Sequence, residues 1–235
     1  ITLEGIYNAG YSVEKADLFG DSDSYSNFGE SFYGNDFKLN YEQYCIPYDF
    51  DYDGTEEGYL YIDADGTPHR LASVNDLYYA CTDCNITYTL NPLSTGWISA
   101  NNQGYLHFTD GRLDFIQNNN YQTIRLVYNT DGSIQRIYNC VDTGSMNSPA
   151  TIEAQSISFT YNGDGLLHSV TSNYGDNVTF SYDSYGCLTT VRRNSNYVTA
   201  QIGYVDDKLN SIRDLNGDGY IFSYRPTSAP YLVYT

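Results

Sequence analysis

The chain has 235 residues and a formal net charge of −18, with 27 tyrosines against one methionine and one tryptophan. A surface this acidic repels phosphate backbones, which excludes nucleic acid as an expected partner. With 41% hydrophobic residues the chain is too apolar for wholesale disorder, and no apolar run is long enough to cross a bilayer as a helix. Tyrosine suits a half-buried pleated surface, because its ring packs while its hydroxyl tolerates a wet edge. Composition therefore leans to β.

In chain order, the sequence opens at Ile1-Thr2-Leu3, already strand-like, and reads as a mature or trimmed chain. Asp21-Ser-Asp-Ser-Tyr-Ser-Asn-Phe-Gly-Glu30 reads as a loop. Asp49-Phe-Asp51-Tyr-Asp53-Gly-Thr-Glu56-Glu57 gathers five carboxylates between Tyr48 and Tyr59. Oxygen clusters suit Ca²⁺, which makes Asp51, Asp53 and Glu56 the candidate ligands; the plainer reading is a solvated acidic turn. Cys81-Thr-Asp-Cys84 is a single CxxC without a second pair, so a structural disulfide, a turn knuckle and idle thiols all remain open. Five cysteines (Cys45, Cys81, Cys84, Cys140 and Cys187) leave at least one thiol unpaired in a monomer.

From about residue 106 the sequence repeats. Gly111-Arg-Leu113-Asp-Phe-Ile116, Gly132-Ser-Ile134-Gln-Arg-Ile137, Gly165-Leu-Leu167-His-Ser-Val170 and Gly186-Cys-Leu188-Thr-Thr-Val191 share one pattern. Asp207-Lys-Leu209-Asn-Ser-Ile212 is the fifth. The leucine-type positions 113, 134, 167, 188 and 209 are spaced 21, 33, 21 and 21 apart, so one 12-residue insertion falls near 140–155. Alternating runs such as Ile124, Leu126, Tyr128 and Val178, Phe180, Tyr182 lead into each unit and read as strands with one buried face. Asn129-Thr-Asp131-Gly132, Asn162-Gly-Asp164-Gly165 and Asp183-Ser-Tyr-Gly186 supply hairpin turns. The expected core includes Leu167, Leu188, Phe159, Phe180 and Tyr182. Asp214-Leu-Asn216-Gly-Asp218-Gly219 imitates a calcium loop, but position twelve is Arg225 and the register makes it one more turn.

Tyr161-Asn-Gly-Asp-Gly-Leu-Leu-His-Ser-Val170 and Phe180-Ser-Tyr-Asp-Ser-Tyr-Gly-Cys-Leu-Thr-Thr-Val191 resemble YD repeats of the RHS family. Upstream, Tyr33-Gly-Asn-Asp-Phe-Lys-Leu-Asn-Tyr-Glu-Gln43 is similar to the segment that opens many RHS repeat regions, and Tyr59-Leu-Tyr-Ile-Asp-Ala-Asp-Gly-Thr-Pro-His69 to the strand pair that follows it. The resemblance covers nearly the whole chain. It implies an all-β fold, an extended or curled antiparallel sheet of hairpins. It further implies a single β domain over 1–235, with opening strands over 1–105 and about five hairpin units over 106–235. The aspartate-bearing self-cleavage segment of many relatives has no match.

Three function classes follow. The leading expectation is a non-catalytic structural or display module, secreted or at a bacterial cell surface. One alternative is a module that binds cell-wall or host glycans, or a protein partner, through exposed aromatics; Tyr121, Tyr174, Tyr185 and Tyr197 fall off the core register and are its candidate residues. Another is the opening segment of a larger toxin-enclosing RHS shell. An enzyme is the least expected, because no nucleophile motif, cofactor loop or metal-spaced histidines appear, and no cofactor is expected. Unpaired strand edges make edge-to-edge self-association a further expectation.

Overall fold

The computed structural model describes residues 4–7, 37–51, 53–82, 84–91, 95–100, 104–120, 122–141, 155–194, 197–206, 208–224 and 232–234. The acidic stretch at 21–30, most of the insertion (142–154) and Tyr121 lie outside them. Among the described residues there are twenty strands and no helix. β1 (Gly5–Tyr7) and β2 (Phe37–Leu39) come first. The opening half then runs through β3 (Tyr44–Tyr48), β4 (Gly58–Ile62), β5 (Pro68–Asn75), β6 (Tyr78–Cys81), β7 (Ile86–Asn91), β8 (Thr95–Ala100) and β9 (Tyr105–Thr109). The repeats form β10 (Arg112–Gln117), β11 (Gln122–Tyr128), β12 (Ile134–Val141), β13 (Gln155–Tyr161), β14 (Leu167–Ser172) and β15 (Asn177–Tyr182). β16 (Leu188–Arg193), β17 (Tyr197–Val205), β18 (Lys208–Arg213), β19 (Gly219–Tyr224) and β20 (Leu232–Tyr234) complete the chain.

From β3 to β20 each strand pairs antiparallel with the next. β10 does more. Its start meets β3 at Arg112↔Tyr44, flanked by backbone bonds from Cys45 N–H to the Gly111 carbonyl (2.9 Å) and from Leu113 N–H to the Gln43 carbonyl (3.2 Å). Its far half, Phe115 to Gln117, pairs with β11. β3 to β10 thus close into an eight-strand ring, and β11 to β20 continue from it as a strip. β1 and β2 depart from the expectation of one continuous opening sheet, because they form a separate two-stranded ribbon. Its Phe37 and Leu39 are fully buried and join the same apolar cluster as Tyr61, Leu71, Phe108 and Leu113. Apolar closure, not ladder pairing, fixes the ribbon in place.

The repeat register appears directly in the packing. Leu113, Ile134, Leu167, Leu188 and Leu209 are each at most 2% exposed, while the polar residues beside them face outward or sit half-buried, apart from Ser133, which is buried. One extra residue bulges out just after the leucine-type position, on the strand opposite each repeat tyrosine: Gln135, His168, Thr189 and Asn210. The turns that follow need a left-handed residue, and Gly165 (φ 79°) and Gly186 (φ 80°) supply it. Asn162 and Asp183 brace these turns, each side-chain oxygen accepting two backbone N–H groups at 2.9–3.0 Å.

Why the repeat uses tyrosine and not phenylalanine follows from the hydroxyls. Tyr128 donates to the Leu113 carbonyl (2.6 Å), Tyr161 to Ile134 (2.7 Å), Tyr182 to Leu167 (2.8 Å) and Tyr204 to Leu188 (2.9 Å). Every tyrosine therefore bonds the leucine-type residue one unit back. Tyr182, expected in the core, is half-buried for this reason: its ring lies over the seam between units and its hydroxyl reaches a main-chain oxygen. Phe159 and Phe180 are buried as expected. Replacing Tyr182 by phenylalanine is expected to cost about 1 kcal/mol, the net value of one hydrogen bond. Chemical denaturation of the two proteins measures it, and an unchanged midpoint would remove the hydroxyl's role.

Candidate functional site

Three features of the described residues carry functional chemistry. The first is the acidic turn between β3 and β4. Asp49, Asp51, Asp53 and Glu57 bring carboxylate oxygens within 4.8 Å of one another, with Glu56 outside the group. Asp51 and Asp53 of the predicted set are thus together, and Glu57 joins them instead of Glu56. These oxygens are largely spent on the turn's own backbone. Asp49 accepts from Gly54 N–H (2.7 Å), Asp53 from Thr55 N–H (2.8 Å) and Glu57 from Phe50 N–H (2.7 Å). The arrangement accounts for a self-capped acidic turn. The loop at 214–218 is likewise a hairpin turn, with Asp214 accepting from the Asn216 and Asp218 N–H groups.

The second feature is the set of exposed tyrosines. Tyr174, Tyr185 and Tyr197 are 71%, 81% and 68% exposed. They do not form one face. Tyr174 and Tyr197 stand at one end of the strip, in and beside neighbouring turns tied by Asn177 N–H to the Asn194 side chain (3.0 Å) and by Arg193 to Asp176 (3.0 Å). Tyr185 occupies the β15–β16 turn at the opposite end, six strand residues or about 20 Å away. Near that end an open groove of about 530 Å³ lies between two successive hairpins, lined by Asn162, Asp164, His168, Tyr182 and Asp183 among others.

The third is built by β4, β5 and β6 at the rim of the ring. The Cys81 and Cys84 sulfurs form a disulfide, while Cys45, Cys140 and Cys187 are buried and not disulfide-bonded. Burial pushes the Cys45 thiol well above its ordinary pKa. The β4–β5 hairpin register sets His69 opposite Tyr61, on whose ring it stacks at 5.6 Å. His69 Nδ1 lies 3.6 Å from Cys84 Sγ, and His69 Nε2 lies 2.9 Å from Asp63 Oδ2. Asp63 is held in turn: its Oδ1 accepts from the Asp65 and Thr67 N–H groups (3.1 and 3.0 Å), and its carbonyl accepts from Lys38 Nζ. Burial, first, and the neighbouring Asp65 carboxyl raise the Asp63 pKa, while the bonds from His69 and Thr67 oppose the rise. Burial also takes Lys38, fully enclosed on β2, down to about 8 against the pull of Glu42, Asp63 and Asp65. The CxxC spacing was visible in the sequence, but its partner His69 was not, since hairpin pairing brings the two together with no fixed spacing.

No family model matches the chain, and no curated protein matches it. Among solved structures, the chain is similar to the crystal structure of TcdB2-TccC3, at 14% identity and a TM-score of 0.42, covering 76% of this chain and 11% of that one. TcdB2-TccC3 without its hypervariable C-terminal region matches at 14% identity and 0.41, over 73% of this chain and 11% of that one. The chain therefore spans about a tenth of the length of the structures it matches.

Proposed function

We propose that this chain is a non-catalytic structural module of the RHS (YD-repeat) type, part of a secreted or cell-surface protein. The observation that carries this reading is the repeated bond from each tyrosine hydroxyl to the preceding unit's leucine-type carbonyl. It joins successive hairpins and uses the repeat's most distinctive residue for cohesion. The acidic turn and the repeat turns spend their polar groups on their own backbone in the same way. Hairpins joined in this way suit enclosure or display. The test is surface protease treatment of intact cells expressing the full gene. Cleavage of this region without lysis is the expected result, and protection equal to that of a cytoplasmic marker would overturn the surface assignment. A panel of glycoside and peptide hydrolase substrates tests the other half: turnover abolished by one Asp or Glu substitution would make the chain an enzyme.

A second reading, binding of a glycan or a protein partner, is favoured by the groove between hairpins and by Tyr185 at the same end. Aromatic faces beside Asn and Asp groups suit sugars. In a glycan-array screen this reading predicts signal that Asp183→Ala or Tyr182→Ala reduces.

A further inference from the structure

We propose that reduced Cys81 and Cys84, together with His69 Nδ1, form a binding site for one thiophilic divalent cation, zinc by preference, and that the disulfide closes it. Side chains from two separate places in the sequence already converge: one donor atom each from His69, Cys81 and Cys84 lies within 4.8 Å of the others. Joined in the disulfide the two sulfurs are 2.10 Å apart and must part to about 3.8 Å to share one zinc, whereas the sulfur–nitrogen separation already suits it. Zinc–sulfur and zinc–nitrogen bonds of about 2.3 and 2.05 Å at the tetrahedral angle place sulfur and nitrogen about 3.6 Å apart. Cys84 Sγ and His69 Nδ1 stand 3.6 Å apart. An independent observation points the same way. Asp63 Oδ2 holds His69 Nε2 at 2.9 Å, the carboxylate–histidine arrangement that fixes a ligand's tautomer and leaves its other nitrogen free to coordinate. Asp63 is itself fixed by two turn N–H groups, so the imidazole cannot swing away. All three residues are half-buried, so the donors can be reached from solvent.

The chemistry balances. A dithiol supplies two electrons and two protons to the Cys81–Cys84 bond and leaves as its own disulfide. Zinc then displaces the two thiol protons to solvent as two Zn–S bonds form. In an oxidising compartment the disulfide persists and withholds both sulfurs. The site would thus report its surroundings, loading metal only where thiols survive. This goes beyond the structural role proposed above and does not depend on it.

The test uses the tag-free full chain and Co²⁺ as a visible stand-in for zinc. Protein reduced with dithiothreitol and freed of it under nitrogen should bind one equivalent, with thiolate-to-cobalt charge-transfer absorption; the oxidised protein should bind none. The Cys81→Ser/Cys84→Ser variant keeps the three buried thiols and should lose the band. Asp63→Asn should weaken affinity about 10–100-fold while leaving the band's shape unchanged. His69→Ala should weaken it further and alter that shape. Binding by reduced protein no tighter than by the double serine variant would overturn the proposal, as would a His69→Ala protein with unchanged affinity. The oxidised-against-reduced comparison needs no mutation, so a misfolded variant does not rescue the idea.

Discussion

Replacing Leu188 by alanine is expected to lower the free energy of unfolding by about 2–5 kcal/mol, the usual range for truncating a buried leucine. Leu188 is 1% exposed and packs in the apolar cluster with Leu167, Phe180 and Val191. Its neighbours cannot easily collapse into the vacated space, because the Tyr204 hydroxyl ties its carbonyl and the bulge at Thr189 sets Leu188 opposite Tyr182. The lost transfer energy is therefore joined by a cavity cost. Leu215, 60% exposed in the β18–β19 turn, is the control, and Leu215→Ala should stay within about 0.5 kcal/mol. Urea unfolding of both variants makes the comparison. Equal midpoints would show that the repeat does not place its leucines inside.

The second large effect is a pH dependence centred on Lys38. Its folded pKa of about 8 lies below the ordinary lysine value near 10.4. Between those values the unfolded chain holds a proton that the folded chain has released, so stability rises with pH across that window. The full contribution is about 3 kcal/mol, and about 1.5 kcal/mol of it falls between pH 8 and 9.5. Buried Cys45 and the buried tyrosines act in the opposite sense. Tyr59 is raised to about 12, and Tyr61 and Tyr88 further, all chiefly by burial, so each keeps a proton in the fold that the unfolded chain loses. The Lys38 signal is then the difference between the wild type and Lys38→Met, which cancels those groups. Wild-type stability minus variant stability should climb by about 1.5 kcal/mol from pH 8 to 9.5 in denaturation curves. A flat difference would mean that Lys38 keeps its proton to ordinary pH.

The repeats were legible because their signal is local. A leucine-type residue every 21 positions, a tyrosine five or six before four of the five, and a Gly-Asn-Asp turn between them identify strand, face and turn at once, and all five leucine-type positions are buried. The 12-residue insertion did not hide the pattern, since β12 and β13 still pair directly, Ile137 against Ile157. What stayed hidden depends on distance along the chain. Closure of the ring rests on Arg112 meeting Tyr44, a contact no periodicity encodes. Lys38 gave no warning either: one lysine between Phe37 and Leu39 looks like the polar face of an ordinary strand, and only a ribbon buried on both sides encloses it. Cys81 and Cys84 announced themselves, whereas His69 and Asp63 reached them through a hairpin register that the sequence does not mark. Glu57 displaced Glu56 because its backbone already pairs with Tyr48 and its carboxylate caps Phe50.

The double allegiance of β10, half to the ring and half to the strip, gives the molecule a direction of unzipping. Beyond β10 each described strand is laddered only to its chain neighbours. Tension on the C-terminal end would peel the ladder hairpin by hairpin, each standard unit of 21 residues releasing about 70 Å of chain. The peel would stop at β10. There the load passes into a closed circuit whose strands must shear past one another together, so the ring would act as the anchor and the strip as the extensible line paid out from it.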